Sequence, residues 1–293
     1  MSPTGPTVRV DVAGRTLKLS SLDKVLYPAT ETTKGEVLNY YAQVSRLMLP
    51  HLAGRVVTRV RWPHGVGDQS FFEKNLPSGS PSWLASARLD DVTYPLVRDL
   101  ADLTYLVNLN SLEFHIPQWR VGADGSRTNP DRLVIDLDPG KPAGLVECCR
   151  VALHIRARLG ELGISLLPVT SGSKGMQLYA RLAGDLTSDQ VRDLAAQLAQ
   201  ELTKRFPDLV VWKMTKSLRP GKVFLDWSQN VAAKTTICPY SLRGTELPCV
   251  AMPRAWSEVE AAARGEGAIE QVMFDDALER VGDRGDLLAD LLG

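Results

Sequence analysis

The segment 132–140 has the sequence Arg-Leu-Val-Ile-Asp-Leu-Asp-Pro-Gly, in which aliphatic and acidic side chains alternate. Successive residues of a β-strand point to opposite faces, so Leu133, Ile135 and Leu137 share one face while Val134, Asp136 and Asp138 share the other. We therefore predict a strand with one face in a core and two carboxylates on the opposite face. Oxygen ligands so placed suit Mg²⁺ or Mn²⁺ beside phosphate groups. By itself the pair is weak evidence, because solvated acids at a strand end are the commoner explanation.

A second segment, 222–227, shows the same alternation and places Asp226 on its polar face. Asp226 is the candidate third carboxylate. Between the two segments, 170–179 is a turn rich in glycine and serine that carries Lys174. Its amides, hydroxyls and ammonium suit a polyphosphate. It is not a Walker A loop, because the spacing differs and a strand pattern follows it.

The rest of the chain predicts a mixed architecture. A hairpin is expected at 8–19, and a capping box at 33–36 begins an amphipathic helix that ends before Pro50. Extended segments are predicted at 55–62, 71–73 and 113–119, and helices at 99–112, 145–162 and 187–206, with two or three more after 256. The order in the second half is strand, helix, strand, helix, strand. A polar loop at 122–130 is the best internal boundary.

Composition limits the kinds of partner. The 34 basic and 34 acidic residues cancel, so attraction to nucleic acid must come from local patches. Four cysteines without a C-x-x-C pair argue against a structural zinc and a disulfide framework. No apolar run reaches the roughly 20 residues of a membrane span, and residues 1–7 show no secretion signal. These features predict a cytoplasmic protein without membrane contact.

Together with the acidic strand, several motifs resemble the polymerase module of the bacterial end-joining ligase D, in the archaeo-eukaryotic primase superfamily. The matching motifs are Asp-Lys-Val-Leu-Tyr-Pro-Ala-Thr (23–30), Phe-Phe-Glu-Lys (71–74), Pro-Gln-Trp-Arg (117–120), Asp-Leu-Asp-Pro-Gly (136–140), Ser-Gly-Ser-Lys-Gly (171–175), Met-Thr-Lys-Ser-Leu-Arg (214–219), Asp-Trp-Ser-Gln-Asn (226–230) and Pro-Tyr-Ser-Leu-Arg-Gly (239–244). The resemblance implies an α+β, two-lobed primase-polymerase fold with central mixed and antiparallel sheets flanked by helices. Residues 1–293 would form one catalytic domain, with DNA-end and template contacts in lobe 1–125 and the metal and nucleotide site in lobe 126–293.

The resemblance also assigns roles to the acidic residues. Asp136 and Asp138 would hold the nucleotide-bound metal and share a second ion with Asp226, and the two ions would be Mn²⁺ or Mg²⁺. His115 would lie beside this metal site. Without the resemblance, a lone histidine is more often a packing residue.

Further residues match family contacts to the substrates. Contacts to the nucleotide are implied for Ser171, Lys174, Gln177, Arg219, Gln229 and Arg243. Lys24 and Lys34 match lysines that grip the 5′-phosphate of a DNA end, and Phe71 and Phe72 match an aromatic pair that contacts the template. Taken singly and without the resemblance, a solvated surface role is the commoner explanation for each basic residue. Adjacent strand residues face opposite ways, so we expect one phenylalanine to be buried.

Three positions depart from the family pattern. Gln177 replaces a histidine after the Ser-Gly-Ser-Lys-Gly motif, Val60 replaces a lysine, and Ser21 replaces an asparagine. Glutamine can donate and accept hydrogen bonds but carries no proton charge. Weaker nucleotide affinity or a slower rate is therefore expected.

The resulting hypothesis is a template-directed polymerase that fills short gaps or extends broken DNA ends, prefers ribonucleotides over deoxynucleotides, and acts in a bacterial nucleoid. Its substrates would be nucleoside triphosphates and gapped or broken DNA with a 5′-phosphate, and its partners Ku and a separate DNA ligase. The chain would be a stand-alone paralogue or an excised module. One alternative is a catalytically weak module that binds 5′-phosphorylated ends and recruits partners; another is a two-metal nuclease. Basic residues around the glycine-rich turn favour nucleotide use, and the three intact aspartates favour catalysis.

Overall fold

The structure is a computed structural model that describes residues 7–292. The prediction about a secretion signal at the N terminus therefore falls almost entirely outside the described residues. The strands are β1 (Thr7–Val12), β2 (Arg15–Ser20), β3 (Val25–Tyr27), β4 (Thr32–Thr33), β5 (Thr58–Arg61), β6 (Phe71–Glu73), β7 (Ser86–Leu89), β8 (Val92–Pro95), β9 (Ser111–Ile116), β10 (Trp119–Val121), β11 (Arg127–Pro130), β12 (Arg132–Pro139), β13 (Leu167–Thr170), β14 (Met176–Arg181), β15 (Val210–Val211), β16 (Val223–Asp226), β17 (Thr236–Ile237), β18 (Cys249–Val250), β19 (Met252–Pro253) and β20 (Val272–Met273). The helices are α1 (Lys34–Leu52), α2 (Leu100–Asn108), α3 (Leu145–Gly160), α4 (Ser188–Arg205), α5 (Trp256–Arg264) and α6 (Phe274–Arg284), with short 3₁₀ helices at Lys216–Leu218, Trp227–Asn230 and Ala289–Leu291.

Local signals set most element starts. The capping box predicted for α1 is present: Thr33 Oγ1 accepts from the Glu36 amide, and the Glu36 carboxylate accepts from the Thr33 amide. The helix runs past Pro50 to Leu52, beyond its predicted end. The α2 helix is shorter than predicted, because Asn110 adopts a positive φ of 62° that turns the chain into β9.

The larger sheet has six strands in the order β15-β16-β12-β14-β13-β19. Neighbouring strands are antiparallel except β15 and β16. The acidic strand β12 lies at its centre, and its aliphatic face packs on α3 and α4 in one buried cluster. This packing confirms the alternation read from the sequence. Strands β13, β15 and β19 were missed, so the predicted order of the second half lacks three strands of this sheet.

The smaller sheet is antiparallel, in the order β17-β9-β5-β6. Helices α1 and α2 pack against it around a second core. Together the two sheets and six helices confirm the predicted α+β class. Among the described residues, no helix combines the length and apolar character that crossing a bilayer requires.

The second core is not built from the first half of the chain alone. Strand β17 pairs with β9, and buried residues between Cys238 and Ala277 join the same cluster as α1 and α2. The expected lobe 126–293 is therefore not a continuous packing unit. The reason is that the last third of the chain supplies both an edge strand and apolar side chains to the smaller sheet.

Candidate active site

Strand pairing brings the three aspartates to one patch. In the antiparallel register, Asp136 of β12 lies directly opposite Asp226 of β16 on one side and Gln177 of β14 on the other. Directly opposite residues have Cβ atoms about 4.5–5.5 Å apart on the same face. Asp138 follows two residues along β12 on that face. The larger sheet therefore presents three carboxylates and one amide on the side away from α3 and α4.

Negative charge accumulates at this patch. Burial, together with the charges of Asp138 and Asp226, raises the pKa of Asp136 to about 7. A hydrogen bond from Gln177 lowers the pKa of Asp136 in turn, because Nε2 donates to Asp136 Oδ1 at 3.1 Å. Lys174 Nζ lies 3.6 Å from Asp138 Oδ1. An uncompensated set of carboxylate oxygens is the kind of donor set that a hard divalent cation relieves.

Asp226 is held by its own loop. Its Oδ1 accepts from the Ser228 amide at 3.1 Å, and its Oδ2 accepts from Gln229 Nε2 at 2.8 Å. Lys234 Nζ is 4.0 Å from the same carboxylate. Between residues 7 and 292 no three His, Cys, Asp or Glu side chains form a ready-made metal cage. Binding a cation with all three aspartates would thus require Asp226 to exchange these contacts.

Asp136, Asp138 and Gln177 of this patch line a cavity of about 210 Å³, which we call the carboxylate pocket; Asp226 lies outside its lining. Most predicted site residues line it. They are His115, Asp136, Asp138, Ser171, Lys174, Gln177, Gln229 and Arg243, joined by Ser173, Thr235, Thr236 and Ile237. One wall is acidic and the other carries serine hydroxyls and two cations, which is an arrangement suited to a metal-bound polyphosphate.

Neither Arg219 nor Asp226 is among the residues that line this pocket, and their contacts differ. Asp226 contacts the pocket residue Gln229. The Arg219 guanidinium instead stacks on the Phe224 ring, with Cζ 3.7 Å from the ring centroid, and Nη2 donates to the Met214 carbonyl at 2.9 Å. Arg219 is not among the lining residues, so its nucleotide contact stays a prediction.

The aromatic pair differs from the prediction. Phe71 is 42% exposed and Phe72 is 59% exposed, so neither ring is buried. The prediction of one buried ring was wrong because β6 is an edge strand of the smaller sheet. The Phe72 ring centroid lies 6.3 Å from that of His115, which links the exposed pair to the carboxylate pocket.

The two lysines predicted to grip a 5′-phosphate lie close together. Lys34 Nζ donates to the Ser20 carbonyl at 2.7 Å, and Lys24 Nζ donates to the Pro63 carbonyl. Burial and the nearby charge of Lys24 lower the pKa of Lys34 to about 8. In the part of the chain that the structure describes, both ammoniums donate to backbone carbonyls, so no carboxylate hydrogen-bonded to them offsets their charge.

Sequence reasoning missed Glu113. Its Oε2 lies 2.7 Å from His115 Nε2, and its Oε1 accepts from the Gly244 amide at 2.8 Å and lies 3.5 Å from Arg243 Nε. Burial opposes ionisation, but His115 and Arg243 lower the pKa of Glu113 below its usual range. Glu113 therefore orients two predicted site residues. Its position two residues before His115, on the same strand face, was the available signal.

Sequence reasoning also missed Tyr179. Its hydroxyl donates to Gln177 Oε1 at 2.7 Å and lies 3.3 Å from Thr236 Oγ1, which accepts from Gln118 Nε2 at 2.8 Å. This buried network sets the orientation of the Gln177 amide toward Asp136. Gln177 and Tyr179 are two residues apart on β14, so they share a strand face, and this spacing was the available signal for their contact.

Comparisons with known proteins agree with this architecture. Residues 33–288 match the family model described as "LigD, primase-polymerase domain". The chain is 47% identical over 279 residues to the multifunctional non-homologous end joining protein LigD of Mycolicibacterium smegmatis, covering 94% of this chain and 36% of that protein. It is 35% identical over 247 residues to the bifunctional non-homologous end joining protein LigD of Bacillus subtilis, covering 84% of this chain and 40% of that protein.

A solved structure shares the same fold. The polymerase domain from Mycobacterium tuberculosis ligase D in complex with DNA superimposes with a TM-score of 0.89 at 44% identity, covering 94% of this chain and 98% of that one. The chain thus spans nearly the whole of that domain but only 36% to 40% of the length of the two curated relatives.

Proposed function

The chain belongs to the family of LigD primase-polymerase domains, and from this membership we propose that it is a template-directed nucleotidyltransferase. It adds nucleotides, preferentially ribonucleotides, to 3′ ends at short gaps and double-strand breaks. The observation that carries the proposal is the placement of Asp136, Asp138 and Asp226 on one face beside a cationic wall. A nuclease binds no triphosphate, so it would not require Lys174 and Arg243 beside the carboxylates.

Asp136, Asp138 and Asp226 would hold two divalent cations, Mn²⁺ or Mg²⁺, which neutralise charge on the attacking and leaving oxygens of phosphoryl transfer. The raised pKa of Asp136 is consistent with this assignment, because burial and then the charges of Asp138 and Asp226 disfavour its ionised form, which a bound cation would favour. Gln229 releases Asp226 when its amide turns toward the substrate. Asp226 Oδ2 is then available to a ligand, while Oδ1 still accepts from the Ser228 amide.

The cationic wall binds the triphosphate. Lys174 is close enough to Asp138 that a phosphate held by its ammonium lies beside the carboxylates. Arg243 lines the pocket while its Nε faces Glu113 Oε1 at 3.5 Å, so its guanidinium adds a second positive charge to the pocket. Ser171 adds a hydroxyl. Glu113 holds His115 and Arg243 in place, so the donors are positioned before substrate arrives.

The DNA end is held away from the metal site. Lys24 and Lys34 take the 5′-phosphate, and Phe71 and Phe72 contact unpaired template bases. Relatives carry names that place them in non-homologous end joining. We extend this role to the chain, with Ku and a separate ligase as partners in the bacterial cytoplasm.

A catalytically weak end-binding module is the second candidate. The observation that favours it is Gln177, a neutral amide where the family pattern has a histidine, in contact with Asp136. In that case DNA ends would be bound and bridged without measurable nucleotide addition.

Primer extension separates these functions. On a gapped duplex with a 5′-phosphate, the wild type should extend the primer with Mn²⁺ or Mg²⁺, and faster with ribonucleotides. Asp136→Ala should abolish extension because it removes the central ligand, while binding of the phosphorylated gap changes little. Asp185→Ala, an exposed loop acid, is the control. Extension by Asp136→Ala would refute the site, and failure of the wild type alongside tight end binding would favour the second candidate.

A further inference from the structure

The glycine-rich turn 171–175 supplies three of the residues that line the carboxylate pocket, which are Ser171, Ser173 and Lys174. The Lys174 ammonium lies 3.6 Å from Asp138 Oδ1, but the side chain is 63% exposed, so its own packing constrains it little. The positions of these hydroxyls and of the ammonium therefore depend on how the backbone of the turn is held.

One amide side chain from a distant part of the chain binds the backbone of this turn at two points. Gln271 Oε1 accepts from the Gly172 amide at 2.6 Å, and Gln271 Nε2 donates to the Gly175 carbonyl at 2.9 Å. The two hydrogen bonds enclose the exposed tip 173–174. Because the Gly172 amide donates to Gln271, the turn offers a phosphate its hydroxyls and its ammonium, and not this amide.

Close packing fixes the same turn against two strands. A Cβ atom at Gly175 would clash with the Leu137 carbonyl of β12. A Cβ atom at Gly172, whose φ is 74°, would lie 2.8 Å from the carbonyl carbon of Val250 in β18. Only glycine permits these approaches. The turn thus lies directly on the backbones of β12 and β18, and Gln271 adds the hydrogen bonds.

The segment that carries Gln271 is anchored in both cores. Ile269 is buried in the cluster on the larger sheet, and Val272 is buried in the cluster on the smaller sheet. Strand β20, which begins at Val272, pairs antiparallel with β18. The same β18 holds Arg243, whose amide donates to the Cys249 carbonyl at 2.8 Å. One two-stranded ribbon therefore positions both cations of the pocket, Arg243 through β18 and the turn through Gln271.

We propose that Gln271 is a positioning residue for the triphosphate, because it holds the glycine-rich turn in the shape in which Ser171 and Lys174 meet the phosphates beyond the first. Gln271 is not among the residues that line the carboxylate pocket, so it acts through the turn. The inference rests on the proposed function in taking a nucleoside triphosphate as the ligand. It adds that the turn is ordered before the substrate arrives, which removes part of the ordering penalty of binding.

Nucleotide binding without addition tests this proposal. A gapped duplex with a 5′-phosphate and a primer that lacks its 3′ hydroxyl is held at saturation with Mg²⁺, and affinities for ATP and AMP are measured by competition with a fluorescent ATP analogue. Gln271→Met has a similar length and volume but loses both hydrogen bonds. It should weaken ATP binding about tenfold, as the loss of one or two hydrogen bonds predicts. Binding of AMP, which lacks the outer phosphates, should change little.

Asn108→Leu is the matched control. The Asn108 amide also joins two backbone groups, because Oδ1 accepts from the Ser20 amide at 3.2 Å and Nδ2 donates to the Lys18 carbonyl at 3.1 Å. None of these three residues lines the carboxylate pocket. The variant should lose similar stability and keep the ratio of ATP to AMP affinity. An equal fall of this ratio in both variants would overturn the proposal, because Gln271 would then act through the fold as a whole.

Hydrogen exchange without nucleotide gives a second measurement. Peptides that cover 171–175 should exchange faster in Gln271→Met than in the wild type, because the Gly172 amide loses its acceptor. The same peptides should exchange at the wild-type rate in Asn108→Leu. Unchanged exchange in Gln271→Met would show that the turn keeps its shape without Gln271, and would overturn the proposal.

The outcomes separate this inference from the proposed function. An unchanged ratio of ATP to AMP affinity in Gln271→Met would overturn the inference even if the wild type extends primers. A reduced ratio, together with faster exchange in the turn, would support it even if the wild type adds no nucleotides. Failure of the wild type to bind ATP would overturn both.

Discussion

Gln177 occupies the position where the family resemblance places a histidine, and its neighbours show what the amide does there. Tyr179 donates to its oxygen, so its nitrogen faces Asp136 and donates in turn. The contact supports the charged form of Asp136 against the burial that raises its pKa. An imidazolium would add a positive charge that competes with a cation for the same carboxylate. The amide adds none.

We predict that Tyr179→Phe lowers kcat by about tenfold. This is the lower end of the range seen when hydrogen-bonding partners of metal ligands are removed. Without the hydroxyl, the Gln177 amide can rotate and present its oxygen to Asp136. Stability should fall by only about 0.5–1.5 kcal/mol, the net worth of one hydrogen bond. Steady-state primer extension and urea unfolding provide the two measurements.

Tyr40→Phe is the matched control. Tyr40 is equally buried, and its hydroxyl donates to the Tyr240 carbonyl at 2.8 Å in the other core. It should lose similar stability and keep its kcat. Equal kcat losses in both variants would mean that Tyr179 acts through the fold and not through Gln177.

At the N terminus of α1, helix capping, burial and a neighbouring charge all act on Lys34. Lys34 is its first helical residue, preceded by the capping residue Thr33, and its ammonium lies beside Ser20 and the charge of Lys24. Unpaired amides and the helix dipole make such an end attractive to anions and unfavourable for a cation. Burial is the main cause that lowers the pKa of Lys34 to about 8, and the charge of Lys24 adds to it.

We therefore expect the preference for 5′-phosphorylated over 5′-hydroxyl gaps to weaken as pH rises from 7 to 9. A bound phosphate favours protonated Lys34, so above pH 8 binding must take up a proton, at a loss of up to about tenfold per pH unit. Competition binding at constant ionic strength measures the preference. Lys34→Met should flatten the profile, and an unchanged preference across this range in the wild type would place the phosphate elsewhere.

The lowered pKa of Lys34 also makes the stability of the fold depend on pH. The folded state binds this proton less tightly than the unfolded chain, so charged Lys34 destabilises the fold below pH 8. That penalty disappears as pH rises from about 8 to 10.5, the ordinary pKa of a lysine. Lys34→Met should be more stable than the wild type at pH 7, by an amount that shrinks toward pH 10.

At the scale of the whole molecule, the end of the described chain contacts both sheets. Leu288 and Leu291 are 0% and 3% exposed and pack with Val134 and Tyr179 of the larger sheet. Asp286 accepts from the Tyr240 hydroxyl at 2.6 Å in the smaller sheet's core. The last residues therefore fasten the two sheets that frame the carboxylate pocket.

Leu291→Ala should accordingly destabilise the protein by about 2–5 kcal/mol, the usual result of truncating a buried leucine. Leu194→Ala, which changes a 52% exposed leucine, should change stability by less than about 0.5 kcal/mol. Urea unfolding followed by tryptophan fluorescence gives both values. A negligible loss in Leu291→Ala would show that the two sheets hold together without this segment.

Much of this protein could be read from local pattern. Alternation predicted β12 and its two faces, the capping box predicted the start of α1, and family motifs identified most residues of the carboxylate pocket. These succeed because strand facing and helix capping depend on residues a few positions apart. The motifs also predicted the α+β class.

Tertiary structure alone decided the rest. The register that sets Asp136 between Gln177 and Asp226 joins segments some 40 to 90 residues apart, and the pairing of β17 with β9 joins segments even more distant. Exposure of both phenylalanines follows from the edge position of β6, which no local pattern encodes. Such features depend on which strands become neighbours when apolar faces from distant parts of the chain are buried together.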